Sequence, residues 1–201
     1  MKKLLKFLRT LRARHSIRRS IKKVSPLKIV FGAGTTCYPG WISTDYPVLD
    51  VTDDKSWGCL FRANQIDALL SEHVFEHLTD AQIAASISNI YKYLKKGGYV
   101  RIAVPDAFHP NLEYIEMVKP GGSGSGADDH KQLLNYKTLS SKFTEMGFKV
   151  LMLEWFDEKG DFNFRNWISE QGMISRSSRY DERNLCKPLS YTSLIFDAYK
   201  I

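Results

Sequence analysis

Two hydrophobic rhythms alternate along this chain. Short apolar runs of strand length occupy residues 27–31, 41–44, 48–51, 66–71, 99–104, 148–156 and 191–199. Between several of them, apolar residues recur at helical spacing. Ile83, Ala84, Ile87, Ile90, Tyr91 and Leu94 form one such stripe. Thr79-Asp80-Ala81-Gln82 precedes it with the spacing of a capping box, and Lys95, Lys96 and Gly97 suit its end. Residues 111–118 and 138–146 predict two further helices, the second closed by Gly147, and residues 55–64 predict a short helix or loop. Pro120 to Gly126 reads PGGSGSG, which predicts a mobile loop delivering Asp128, Asp129, His130 and Lys131 to a surface. A turn at 158–161 and an irregular aromatic segment, 162–183, precede the last strand.

Strands alternating with helices imply one α/β domain with a mostly parallel sheet. Before it, residues 1–25 form a different unit. Leu4, Phe7, Leu8 and Leu11 share one helical face, and Ile17, Ile21 and Val24 form a second stripe rotated from the first. Ser25-Pro26 ends this leader, so the domain is expected to span 26–201.

The chemistry is concentrated in the first strands. The run 27–31 ends in Gly32-Ala33-Gly34, the second ends in Asp45, and the third is followed by Asp53. Glycines without a Cβ let backbone N–H groups approach a ligand. A carboxylate at Asp45 suits a ribose diol, and one at Asp53 suits an adenine amino group. A G-x-G-x-x-G fingerprint is missing, because Cys37 stands where its last glycine belongs. Six residues between Gly34 and Trp41 leave no room for a full crossover helix. Both features argue against a dinucleotide and for a nucleoside ligand without phosphate.

Charge separates the leader from the rest. The formal charge is +7, yet residues 1–28 hold eleven Lys and Arg and no acid, which leaves 18 basic and 22 acidic side chains elsewhere, a net of −4. A basic amphipathic leader over residues 2–24 suits an anionic membrane surface. Cys37, Cys59 and Cys186 have no metal-ligand spacing and are expected to be reduced thiols of a cytoplasmic protein. No run is long and apolar enough to span a membrane.

KIVFGAG, GWISTD, IDALLSEHVFEHL and LKKGGYVRIAVPD together resemble the class I S-adenosylmethionine-dependent methyltransferases. More narrowly, these stretches look like the short bacterial, type 11-like methyltransferases, as do ADDHK, EWFDEKG, RSSRYDERN and YTSLIFDAYK. The resemblance covers 26–201. It implies a Rossmann-like, mostly parallel seven-stranded sheet with the last strand antiparallel and helices on both faces. It implies S-adenosylmethionine as cofactor, with Gly32 and Gly34 near its methionine part, Asp45 on the ribose and Asp53 on the adenine. Glu72 and His73 would lie beside the cofactor and the acceptor. The loop G-A-G-T-T and the reduced first helix depart from the pattern, so Asp50 or Asp54 could stand in for Asp53.

A sulfonium cofactor already carries an activated methyl group. The protein has to align the nucleophile, worth on the order of 7–11 kcal/mol at best, and accept a proton, worth roughly 10²–10⁴-fold. Histidine suits that second task. His130, preceded by Asp128 and Asp129, is the favoured base, and His73 and His109 are the other candidates; His77 is expected to be structural. Asp106, which precedes His109 after the strand 99–104, joins Asp129 and His130 as an expected acceptor contact. Asp106 and the 128–130 acids and histidine fit no familiar ligand spacing, so no metal is expected. Relatives of the resembled group are associated with surface-glycan synthesis, which implies a sugar or lipid-linked glycan acceptor and a leader held at the inner membrane face. The alternatives are a nucleic-acid methyltransferase that uses the basic leader and a binding module that keeps the cofactor pocket without catalysis.

Overall fold

A computed structural model describes residues 2–185 and 189–201. Its strands are β1 (Lys28–Val30), β2 (Ile42–Ser43), β3 (Ile66–Glu72), β4 (Leu94–Pro105), β5 (Phe148–Phe156), β6 (Phe162–Phe164) and β7 (Ser193–Lys200). Its helices are α1 (Lys2–Ile21), α2 (Asp54–Gly58), α3 (Asp80–Tyr93), α4 (Leu112–Val118) and α5 (Tyr136–Glu145). The seven strands form one sheet in the order β2-β1-β3-β4-β7-β5-β6. β2, β1, β3 and β4 run parallel, β7 lies antiparallel between β4 and β5, and β6 pairs antiparallel with β5. This is the expected Rossmann-like mixed sheet.

The connections between strands decide what covers each face. On one face α2, α3, α5 and the end of α1 bury Trp57, Ile83, Ile87, Ile90, Phe143 and Ile21 against Ile29, Leu69, Ile102 and Phe196. The other face shows Val30, Leu70, Ala103 and Ile195 to Trp41, Trp167 and Ile174. Irregular segments, 31–41, 165–185 and 189–192, supply that layer where a helical one was expected. Buried side chains fasten it. Arg101 pairs with Asp197 through two 2.8 Å bonds and donates to the carbonyls of Gly172 and Ile168. Glu154 accepts from Trp167 Nε1, Ser178 N–H and Thr192 Oγ1.

Four local expectations change. Residues 48–51 form turns rather than a strand: the Asp45 carbonyl accepts from the N–H groups of Val48 and Leu49. The run is apolar because Leu49 and Val51 are buried in the core, a demand that a turn can also make. α3 does have its capping box at Thr79 and Gln82, but it stops at Tyr93. Lys95, Lys96 and Gly97 open β4, and Lys95 pairs with Asp67 at 2.7 Å. Residues 162–164, expected to be irregular, supply the edge strand β6. The segment 120–126 is a cap on α4 rather than a loose loop: Ser123 and Gly124 N–H groups bond the Glu116 and Met117 carbonyls, and Gly121 N–H bonds Ala127 O. A Cβ at Gly122 or Gly124 would meet those carbonyls at 2.7 Å, so their backbone approach requires glycine.

The basic leader is not separate along its whole length. Arg14 donates to the carbonyls of Val48 and Pro47 and to Ser56, Arg18 donates to Cys59 O, and Ile21 is buried. The first three turns of α1 leave Leu4, Leu5, Phe7, Leu8 and Leu11 exposed. Among the described residues no helix is long and apolar enough to cross a membrane. Cys37 and Cys59 are free thiols, and Cys186 lies outside the described residues.

Candidate functional site

Strand order reverses at β1, which has β2 on one side and β3 on the other. In open α/β sheets the crevice beyond the carboxyl ends of such strands receives ligands. Here a cavity of about 510 Å³ opens there, lined by Gly32, Asp45, Asp50 and Thr52 and closed by His73 and His77.

Gly32 and Gly34 both adopt positive φ, +62° and +52°. Space around Gly34 is open, as a ligand-facing glycine needs, whereas a Cβ on Gly32 would collide with Val74. Asp45 stands at the rim with Oδ2 accepting from Gly34 N–H at 2.9 Å and Oδ1 from Tyr46 N–H at 2.7 Å. Each carboxylate oxygen has a second lone pair, so Asp45 shapes the glycine loop and can still accept from a diol.

The expected adenine acid is placed differently. Asp53 is the N-cap of α2, accepts from Lys55 N–H, and does not line the cavity. Asp54 is held by Lys92 and Tyr93. Asp50 lines the cavity; its Oδ1 accepts from Thr52 N–H and Oγ1, while Oδ2 has no partner among the described residues. The cause is the turn at 48–51, which advances the acid that faces the crevice.

Glu72, expected beside the cofactor, instead accepts from Ser175 and Arg176 N–H groups and pins the irregular layer to the end of β3. Burial raises its pKa. His73 follows at φ +55°. The Ser193 hydroxyl donates to Arg176 O at 2.8 Å, so it accepts from His73 Nε2 at 2.9 Å. His73 Nδ1 then presents its lone pair toward Glu76, 3.2 Å away. Burial keeps the His73 imidazole neutral, well below the usual histidine range. Glu76 is fully buried, and burial pushes its pKa up to about 8.

A second cavity, about 320 Å³, adjoins the first and shares His73 and His77 with it. Its other side chains include Glu76, His130, Arg176, Arg183 and Tyr191. His130 is therefore where the sequence places it, but its orienting partner is different. Its Nδ1 lies 2.7 Å from the Val118 carbonyl, which can only accept, so Nδ1 carries the proton and the Nε2 lone pair is free. Asp129, expected to orient His130, sits 3.5 Å from His77 Nδ1 and bonds Lys131. It lines the first cavity.

Asp106 and His109 leave the site. Asp106 is fully buried and accepts from Phe108 and Phe156 N–H groups, which ties the end of β4 to β5; burial raises its pKa to about 6. His109 stacks on Tyr114 at 4.0 Å and against Phe156, and burial lowers its pKa to about 4. Neither lines either of the two cavities. Distance in sequence from a strand end does not tell whether a side chain turns toward the crevice or under it.

Sequence reasoning missed His77, Arg176 and Arg183. His77, expected to be structural, lines both cavities and packs edge-on against His130 at 4.7 Å. The repeated Glu-His pair at 72–73 and 76–77 was the available signal. Arg176 and Arg183 belong to a segment without periodicity, and only the fold brings them to the cavity.

A family model described as a methyltransferase domain matches residues 13–153. Its match begins inside α1, one residue before Arg14 contacts the domain. Two solved structures share the fold. One is a SAM-dependent methyltransferase from Archaeoglobus fulgidus, 16% identical, with 95% of this chain and 94% of that chain covered and a TM-score of 0.50. The other is a SAM-dependent methyltransferase from Thermotoga maritima, 13% identical, covering 100% and 95%, with a TM-score of 0.52. No curated protein matches the sequence.

Proposed function

The chain belongs to the methyltransferase domains, of the class I S-adenosylmethionine-dependent kind, and from that premise we propose that it methylates an oxygen of a small polar acceptor bearing an anionic group. A sugar or lipid-linked glycan is the acceptor class. The observation that carries this reading is the meeting of two cavities at His73 and His77. The first holds the cofactor, with Asp45 on the ribose and Asp50 toward the adenine. The second takes the acceptor, with Arg176 and Arg183 facing its charge. Arg183 is already paired with Asp181 at 2.6 Å and lies over the Tyr191 ring, so Arg176 is the freer cation.

The methyl carbon passes from sulfonium sulfur to acceptor oxygen, and S-adenosylhomocysteine leaves. The acceptor proton goes to His130 Nε2, which makes no hydrogen bond among the described residues, whereas His73 Nε2 bonds Ser193 and its Nδ1 faces the Glu76 carboxyl. His73 serves as a positioning residue.

The reading includes contact with an anionic membrane surface, supported by the exposed apolar face of α1 and the lysines and arginines that flank it. Arg14 and Arg18 hold the same helix to the domain, so the cofactor mouth stays near that surface.

Calorimetric titration with S-adenosylmethionine, then transfer of labelled methyl to matched neutral and phosphorylated sugars, tests the reaction. Preference for the phosphorylated set supports the reading. Binding without transfer to any member of either set overturns the acceptor class. Co-sedimentation with phosphatidylglycerol vesicles tests the membrane contact, and equal binding by a Leu8→Asp, Leu11→Asp variant removes it.

A further inference from the structure

Glu76, His77 and His130 each offer a ligand atom within 4.8 Å of the other two. We propose that these three side chains form a site for one divalent first-row transition cation at the junction of the two cavities.

The chain builds this cluster from two segments. Glu76 and His77 lie on the 3-10 turn Phe75–His77 that follows β3. His130 arrives on the segment after the turn Ala127–Asp129. Lys131 and Gln132 N–H groups both bond the Glu76 carbonyl and clip the two segments together.

Independent of that grouping, Glu76 is an unexplained buried carboxyl. It is fully buried, and neither oxygen makes a hydrogen bond among the described residues. His73 Nδ1 is near one of them but does not satisfy hydrogen-bond geometry. Buried polar groups are normally paired, and a carboxylate left alone is among the most costly exceptions. A dication supplies the missing partner.

The histidines are oriented as ligands are. Metal-bound imidazoles commonly donate their second ring nitrogen to a carbonyl or carboxylate, which fixes ring and tautomer. His130 Nδ1 bonds the Val118 carbonyl, and His77 Nδ1 faces the Asp129 carboxylate at 3.5 Å. Two imidazoles and one carboxylate favour zinc, iron, cobalt or nickel over the all-oxygen preference of calcium and magnesium. Three protein ligands leave coordination positions open. The acceptor cavity lies beside them, so an acceptor hydroxyl bound there becomes more acidic and loses its proton to water. That consequence rests on the proposed methyl transfer; the site itself does not. With an ion bound, His130 acts as ligand, and the ion takes over the acidification.

The test uses the full chain, stripped of metal and free of cofactor, titrated with Zn²⁺ by calorimetry and with Co²⁺ by visible absorption. One equivalent is expected, with cobalt bands of a nitrogen- and oxygen-ligated ion. His77→Ala, His130→Ala and Glu76→Gln should each weaken binding at least about tenfold, whereas His15→Ala on the exposed face of α1 should not. Circular dichroism confirms that each variant is folded, and the milder His130→Gln replaces any that is not. Absence of saturable one-to-one binding, or wild-type affinity in both histidine variants, overturns the proposal. Neither result touches cofactor binding, which is measured separately with metal absent.

Discussion

Val74 fills the space that a Cβ on Gly32 would need. The contact joins the glycine turn after β1 to the turn after β3 that carries His73, Glu76 and His77. Gly32→Ala should therefore do two things: strain a backbone at φ +62° and push the histidine turn away. A loss of about 1–3 kcal/mol is expected in urea unfolding. Adding Val74→Ala relieves the collision but not the backbone strain, so the double variant should recover part of the stability. No recovery would show that Val74 is not the obstacle.

Three neighbouring acids should separate cleanly. Asp45→Ala and Asp50→Ala are expected to weaken S-adenosylmethionine binding at least about tenfold, the worth of one charge-assisted hydrogen bond. Asp53→Ala removes a helix cap and should cost about 1 kcal/mol of stability with cofactor affinity unchanged. Calorimetry and thermal unfolding on the same three proteins decide between the two roles.

Glu72 holds the backbone of Ser175 and Arg176, and through them the arginine side of the acceptor cavity. Glu72→Ala should raise KM for the acceptor about tenfold and leave the cofactor Kd within about twofold, because the two hydrogen bonds it accepts are lost on the side of the second cavity alone. A larger effect on the cofactor would return Glu72 to the first cavity.

The His109 imidazole is neutral in the folded protein down to about pH 4, while its unfolded form protonates near 6.5. The sign follows: between these values only the unfolded state takes up a proton, so stability falls as the pH drops through that window. The loss is of order 2–3 kcal/mol. His109→Phe keeps the stack on Tyr114 and should flatten the decline between pH 6.5 and 4. Adjacent Asp106, with its pKa raised to about 6, acts in the opposite direction and loses its contribution as pH rises through 6. A variant with an unchanged slope would place the acid sensitivity elsewhere.

Helices with strong local signals were legible in the sequence. Thr79 and Gln82 announced α3, Asn111 opened α4, and the strand 148–156 kept its limits. Ends set by tertiary contact were not legible, as where Leu94 leaves α3 to pair with Ile66. Asp45 and Gly32 line the crevice as expected, because their position depends on local order along one strand end. Asp50 ranks in the sequence only as a stand-in for Asp53, because the turn that carries it looks apolar enough to be a strand. Glu72, Asp106 and His109 bear the residue types of a site, and only burial and hydrogen-bond partners reveal them as fasteners. Arg176 and Arg183 could not be found by periodicity, because the layer that carries them is fixed by side chains rather than by a backbone repeat.

β7 follows every other strand in sequence but lies between β4 and β5. During synthesis, the β5–β6 hairpin therefore has no docking edge until residues 193–200 emerge. Asp197 arrives with those residues and neutralises Arg101, and Ser193 arrives to receive His73. A nascent chain halted before this point can build the part of the crevice around β1 and β3, but the cavity that Arg176 and Tyr191 line waits for the final insertion.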